Sequence, residues 1–268
     1  MAVRGPDGLI EARRHTVTVK HRILKEWLKV WRLFKDRYRF NLIYIDAHAG
    51  TGKVRFGKEV RDGSPIIALK TLGRGNVRYF FIEKNSTAYL ELKHNIGDFK
   101  GYDITVFKED CNLAIPYILH TCYRKGDKAF CFLDPSGLFY RDEPQVNRDI
   151  IDELAYFGVE VMYNFPLNAL LRCFRECKYD KLSRVVPDPI ISDLKRGMDY
   201  RTICERLLSW MNRRFKWVVG GIVTLKSGAP FSLLMLASYA SDDVKEIAEH
   251  IFRRENLKTP KLIMDDFL

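Results

Sequence analysis

Five apolar residues, Ala129 to Leu133, run directly into Asp134-Pro135-Ser136-Gly137, followed by Leu138-Phe139-Tyr140. A carboxylate there is costly unless it is paired or opens on a cleft, and Pro135 fixes the turn while removing a backbone donor. The Asp134 carboxylate and the carbonyl beside Pro135 can each accept a hydrogen from a substrate amino group. The same residues can equally form a plain strand-ending turn. Other strand-like runs end in comparable groups. Asn41–Asp46 leads into Asp46-Ala47-His48-Ala49-Gly50-Thr51-Gly52, where two glycines two apart allow a tight turn and close approach of a ligand to the backbone. Glu83 closes Val77–Glu83; an acid there can accept from both hydroxyls of a ribose, or simply favour the dipole of the next helix. Ile104–Phe107 leads to Glu109-Asp110-Cys111, where a carboxylate and an adjacent amide can read the amino group and ring nitrogen of adenine, or Asp110 can cap a helix. Acids ending consecutive strands favour one shared ligand over coincidence.

Lys53 gives the glycine turn a passing likeness to a phosphate-binding P-loop, but Ala47 stands where the first glycine belongs and Val54 where the hydroxyl belongs. A Gly-x-Gly-x-x-Gly fingerprint fails too, because Gly57 is wrongly spaced. His48 either meets the ligand or caps the loop. Lys20 and His21 either close over the ligand or lie on the surface. Asn164-Phe165-Pro166 either lines a substrate pocket or makes a turn. Cys173 and Cys177, four apart in a helical stretch, share one face but lack the further ligands of a zinc set, so no metal is expected.

The elements that must position these residues alternate. Strands are expected at Asn41–Asp46, Val77–Glu83, Ile104–Phe107, Ala129–Asp134 and Val159–Phe165, all apolar and rich in β-branched and aromatic residues, as strands buried on both faces are. Helical spacing fills Pro65–Leu72, Thr87–Ile96, Leu113–Tyr123 and Asn147–Tyr156, with Ser64 as N-cap and Pro65 opening the first of them. The chain closes with Lys216–Leu225 and Pro230–Tyr239, a hairpin about Lys226-Ser227-Gly228-Ala229, and a helix over Asp242–Arg254. The repeats imply an α/β fold with a mostly parallel sheet and helices on both faces, ending in an antiparallel hairpin. Ligands of such sheets bind beyond the carboxyl ends of the strands.

The 268 residues are 47% hydrophobic and 29% charged, which excludes a disordered or collagenous chain. No apolar run is long enough to span a bilayer and no signal-peptide core opens the chain, and six cysteines are too few for a disulfide framework, so a cytoplasmic protein with no membrane partner is expected. The net charge of +11 is concentrated. Residues 1–40 carry 11 Lys/Arg against 4 Asp/Glu, and residues 167–214 carry 11 against 6, leaving the remainder near neutral. Two basic additions to a neutral body suit a nucleic-acid partner, although such runs can also be solvated helix faces. In the first, Ile23, Trp27, Trp31 and Phe34 form an apolar helical stripe, with Lys20, Arg22, Lys25, Lys29, Arg32 and Lys35 around it.

This ordered set resembles the class I S-adenosylmethionine-dependent methyltransferases from about residue 40 onward. A closer resemblance is to the three-Cys-motif partner (TcmP) family. It rests on Lys20-His21 with Ile23-Leu24 and Trp31, Tyr44-Ile45-Asp46-x-x-Ala49-Gly50-x-Gly52, Gly63-Ser64-Pro65, Phe81-Ile82-Glu83 and Phe132-Leu133-Asp134-Pro135-x-Gly137. The resemblance implies a Rossmann-like methyltransferase domain over residues 41–268, with a helical insertion at about 167–214 and a basic helical extension over 1–40. It implies S-adenosylmethionine as cofactor, held by Asp46, His48, Ala49, Gly50, Gly52, Glu83, Lys84, Asp110 and Cys111. Catalysis is expected from Asp134, Pro135 and Ser136, and substrate contacts from Phe139, Tyr140, Lys20 and Asn164. Enzymes that methylate exocyclic amines carry Pro and an aromatic where Ser136 and Gly137 stand here, so Phe139 or Tyr140 would have to stack the base. The expected function is methylation of a nucleic-acid base, an exocyclic amine in RNA (tRNA or rRNA), ahead of DNA. A non-catalytic nucleic-acid-binding partner subunit is a second class, and a protein partner fits the family name. A ribose 2′-O-methyltransferase, needing lysines about Asp134 for which Lys20 and Lys226 qualify, is a third.

Overall fold

The computed structural model describes residues 3–4, 10–11, 14–225, 229–257 and 260, with the backbone alone for 3, 4, 10, 11 and 14. Two compact units divide the chain, residues 1–136 and 137–268.

In the first unit two short strands, β1 (Val3–Arg4) and β2 (Ile10–Glu11), precede α1 (Arg14–Tyr38). Ile23, Leu24, Trp27 and Leu28 of α1 are buried, and Trp31 packs on Phe130 with ring centroids 6.3 Å apart. The apolar stripe is thus core. The basic residues around it are not uniformly solvated: Lys25, Lys29 and Arg32 are exposed, whereas Lys35 is buried against Asp36 at 2.5 Å. Then come β3 (Leu42–Asp46), a hairpin of β4 (Lys53–Phe56) and β5 (Glu59–Asp62), α2 (Ser64–Leu72), β6 (Val77–Ile82), α3 (Ser86–Asn95), β7 (Asp103–Phe107), α4 (Cys111–Cys122) and β8 (Lys128–Leu133). β3 pairs in parallel with β6 on one side and β8 on the other, and β6 pairs in parallel with β7. Every residue of β3 is buried; Tyr44 stacks on Phe130 at 5.9 Å and meets Phe81 edge-on. The hairpin was not expected from the sequence. Its turn, Gly57-Lys58, has Gly57 at φ +65°, the glycine-first pattern of a type II′ turn. With β1 and β2 it makes a separate sheet in the order β1-β2-β4-β5.

The second unit holds a two-stranded ribbon, β9 (Phe139–Tyr140) and β10 (Glu143–Pro144), then α5 (Arg148–Tyr156) and β11 (Glu160–Phe165). Helices α6 (Leu167–Arg175), α7 (Tyr179–Leu182), α8 (Asp188–Lys195) and α9 (Tyr200–Asn212) follow, then β12 (Trp217–Thr224), β13 (Pro230–Ser238) and α10 (Asp242–Arg254). β13 pairs antiparallel with both β12 and β11. Lys226, Ser227 and Gly228 lie outside the described residues. Cys173 and Cys177 do not share a helix face: α6 stops at Arg175, and Cys177 turns into the left-handed region at φ +55°, exposed, while Cys173 is buried.

Seven strands are hydrogen-bonded in the order β12-β13-β11-β8-β3-β6-β7. This is the mostly parallel sheet with a terminal antiparallel hairpin expected of the Rossmann-like class I methyltransferase fold. Its order reverses between β3 and β8, so the carboxyl ends of those two strands flank the crevice where such sheets take ligands.

Candidate active site

The first unit brings most of the expected residues to that crevice. Asp46 ends β3 and is fully buried. Its Oδ1 accepts the His48 backbone N–H at 3.3 Å, and its Oδ2 has no hydrogen-bond donor. Burial pushes the carboxyl up from 3.8 to about 7, and the negative charge of Asp134 adds to this; the Ser64 hydroxyl, the His48 amide and the Lys20 ammonium pull the other way. Ser64 is therefore not the N-cap of α2. Gly63 takes that place, and Ser64 is the first helical residue, near enough to Asp46 for its hydroxyl to lower the proton affinity of that carboxyl.

The turn after Asp46 is held on all sides. Ala47 N–H donates to the Phe132 carbonyl at 3.0 Å and Ala49 N–H to the Ile82 carbonyl at 2.9 Å. The Asn95 side chain donates to the Thr51 carbonyl at 2.9 Å. Gly50 and Gly52 have φ of +58° and +76°, a region closed to most side chains. Gly63 N–H donates to the Gly52 carbonyl at 2.7 Å, and a Cβ on Gly63 would lie 2.8 Å from that carbonyl carbon and oxygen. Both obstacles are backbone and cannot swing aside. Gly63→Ala is expected to lower the melting temperature and weaken cofactor binding at least about tenfold, since removing the clash means moving the turn. Thermal melts and calorimetry with S-adenosylmethionine would check it, and an unchanged affinity would show that the turn does not bind.

Glu83 closes the turn from β6. Its Oε2 accepts the Gly50 amide at 2.9 Å and its Oε1 the Asn85 amide at 2.6 Å. Asp110 caps α4 through the Asn112 amide at 2.9 Å and pairs with exposed Lys84 at 2.6 Å. Burial works to raise its pKa, but Lys84 and the Asn112 donors prevail and hold it below the usual carboxylate value.

His48 ties three strand ends together. Its Nδ1 accepts the Asp134 backbone N–H at 3.3 Å, and its Nε2 lies 3.8 Å from the Cys111 sulfur. An Nδ1 that accepts leaves the proton on Nε2, directed at the thiol. Burial keeps the Cys111 thiol protonated, far above its ordinary pKa. His48 is thus a strut of the crevice, an option that sequence alone left open.

Asp134 follows β8 and forms an ion pair with Lys20 of α1, both side chains largely buried. His21 sits beside them; burial drives its pKa down to about 3, helped by the Lys20 ammonium and opposed by Asp134. Pro135 is buried and Ser136 exposed. Phe139, Tyr140 and Asn164 belong to the second unit. Phe139 and Tyr140 form β9, where Tyr140 is exposed beneath the Arg141 guanidinium at 5.4 Å. Asn164 is buried in β11 opposite Leu234. Ser64 is the contributor that sequence reasoning placed wrongly; its motif was visible but its partner was not. Among the described residues no cluster of His, Cys, Asp and Glu could hold a metal ion, and no helix is long and apolar enough to cross a membrane.

Neither family models nor curated proteins match the sequence, so the TcmP resemblance has no support from them. Among solved structures, the chain is similar to protein LPL1258 from Legionella pneumophila, described under family DUF519, at 13% identity and a TM-score of 0.58, covering 91% of this chain and 92% of that one. That likeness extends over the whole fold. Looser likenesses include an rRNA methylase from Streptococcus thermophilus (10% identity, 75% and 88% coverage, TM-score 0.38) and the O-methyltransferase TomG from Streptomyces achromogenes in complex with S-adenosylmethionine (12% identity, 80% of each chain, TM-score 0.41).

Proposed function

We propose that the chain is a cytoplasmic S-adenosylmethionine-dependent methyltransferase that modifies a nucleic-acid base, with an exocyclic amine in RNA as acceptor. The observation that carries this is the pair Asp46 and Asp134, at the carboxyl ends of adjacent parallel strands and close enough that the charge of Asp134 raises the proton affinity of Asp46. One is the acid of a glycine turn, the other the acid of an Asp-Pro motif. The TcmP-like motifs and the looser likenesses to an rRNA methylase and an O-methyltransferase are in keeping with it.

The residues present fit the cofactor. Asp46 Oδ2 is a buried acceptor without a donor; an α-ammonium would satisfy it. Glu83, which closes the turn from β6, is placed to meet the ribose hydroxyls, and Asp110 with Cys111 at the start of α4 to meet the adenine. Once bound, the cofactor supplies a methyl group already activated by a sulfonium. The protein's task is then alignment, which at best is worth ~7–11 kcal/mol. For an amine acceptor, Asp134 and the Pro135 carbonyl each accept one N–H, which turns the ring-delocalised lone pair toward the methyl. Asp134 then takes the departing proton, directly or through solvent. A base within a duplex would have to be flipped out, at a few kcal/mol. The basic segments 1–40 and 167–214 supply phosphate contacts, so binding should weaken steeply with salt.

One observation favours a second acceptor. Lys20 pairs with Asp134, which puts beside the carboxylate the lysine that ribose 2′-O-methylation needs. The test incubates the protein with methyl-labelled S-adenosylmethionine and bulk RNA or bulk DNA from cells lacking it, followed by nucleoside analysis. Label on an RNA base is the expected outcome. Label on ribose selects the second acceptor, label in DNA moves the substrate, and cofactor binding without transfer to either points to a partner-dependent or non-catalytic subunit.

A further inference from the structure

The hairpin β4–β5 has no part in holding the cofactor as described above, yet it grows directly out of the cofactor turn. Gly52 precedes its first residue, Lys53, and Gly63 follows its last, Asp62; the bond between Gly63 N–H and the Gly52 carbonyl clamps the two ends together. Four residues per strand give a finger about 13 Å long.

Its charge is one-sided in effect. It carries Lys53, Arg55, Lys58 and Arg61 against Glu59 and Asp62. Both acids are occupied: Glu59 chelates Arg61 at 2.7 and 3.0 Å, and Asp62 pairs with Lys70 of α2 at 2.6 Å. The ammonium groups of Lys53 and Lys58 have no carboxylate partner among the described residues. At the end of the finger the Arg61 guanidinium lies over the Phe56 ring, 5.2 Å from its centroid, while Val60, 46% exposed, falls on the other face of the hairpin with Lys53. Charge alone would be enough to keep an edge strand from pairing with another chain. An aromatic plane backed by a guanidinium, on a narrow hairpin that also carries two cations without carboxylate partners, is instead the composition of an element that stacks bases and tracks a phosphate backbone.

We infer that the finger Lys53–Asp62 is a strand guide: Lys53 and Lys58 bind phosphates of the nucleic acid next to the target nucleotide, and Phe56 with Arg61 stacks a neighbouring base. The inference rests on the proposed function, because it names the part of the chain that holds that substrate.

The experiment compares wild type, the double variant Lys53→Gln/Lys58→Gln, and Phe56→Ala. A fluorescein-labelled 12-nucleotide single-stranded RNA is titrated by anisotropy from 50 to 200 mM KCl, and S-adenosylmethionine by calorimetry. Two lost phosphate contacts should make the log-affinity against log-salt slope shallower by about 1.4 and weaken RNA binding about tenfold at the lower salt. Phe56→Ala should weaken it at least about fivefold with no change of slope. Cofactor affinity should stay within twofold for all three proteins. Variants that bind RNA like a wild type that itself binds would overturn the guide and leave the proposed function standing. A wild type that takes up the cofactor but no nucleic acid would overturn both. Loss of cofactor affinity together with RNA affinity would show that the finger acts through the turn, which also rejects the guide.

Discussion

Asp134→Ala is expected to lower methyl transfer by at least about a thousandfold while leaving S-adenosylmethionine affinity within a few-fold. The carboxylate stands outside the glycine turn assigned to the cofactor, so the loss falls on orientation of the acceptor and removal of its proton, which together are worth several kcal/mol. The same change leaves the Lys20 ammonium, only 14% exposed, without its counter-ion. An uncompensated buried charge costs about 3–5 kcal/mol, so a fall in melting temperature should accompany the loss. Asp134→Asn, which keeps the shape and one acceptor, separates the two effects. Lys20→Met then divides the acceptors. An amine methylase should keep measurable transfer, because Asp134 remains and is released from its partner. A 2′-O-methylase should lose transfer as completely as in Asp134→Ala. Single-turnover rates on the labelled substrate, with calorimetry for the cofactor, decide between them; full activity in Asp134→Ala would remove the site assignment altogether.

The second large effect is one that wild type should hide. Asp46 holds its proton up to about pH 7 in the fold, against 3.8 when exposed. The folded state therefore binds the extra proton, and stability falls as pH rises from about 4 to about 7. His21 is the reverse. It stays neutral in the fold down to about pH 3, against 6.5 when exposed, so stability falls as pH drops below about 6.5. Between about pH 4 and 6.5 the two slopes, each ~1.4 kcal/mol per pH unit, are opposite and cancel. Asp46→Asn should uncover the histidine, giving a protein that weakens steadily below pH 6.5 yet gains up to about 4 kcal/mol at pH 8 while losing cofactor affinity. His21→Gln should uncover the carboxylate, giving stability that declines from pH 4 to 7. Urea unfolding midpoints at half-unit pH steps would reveal both slopes. Parallel profiles for the three proteins would mean that neither group is buried as described.

The centre of the sheet was legible because its strands are buried: runs such as Leu42–Asp46 and Ala129–Leu133 have almost no polar residue to confuse with a surface helix. Asp46, Glu83 and Asp134 were legible for the same reason, each being the first polar group after an apolar run. The finger was missed although its signal was present, Gly57-Lys58 between two alternating stretches, because Gly52-Lys53 drew the comparison with phosphate loops. The β9–β10 ribbon gave no signal at all: Arg141 and Asp142 both adopt positive φ, where Asn-Gly would ordinarily announce the turn. No local pattern links Lys20 to Asp134, 114 positions apart, or shows that His48 spends its ring on Asp134 and Cys111. Charge counting described the insertion too simply, since Lys178, Lys181, Arg184, Arg206 and Arg214 each have an acidic partner.

The clamp between Gly52 and Gly63 has a consequence for how such a protein can change over time. Where two points of a chain already touch, the residues between them add nothing to the distance the rest must cover, and lengthening that excursion carries only a slowly growing entropic cost. A change of length at the far end of the hairpin, about Gly57-Lys58, therefore leaves the two ends where the clamp holds them. If the finger guides the substrate as proposed, the choice of substrate can then change while the turn at the foot of the hairpin keeps its shape.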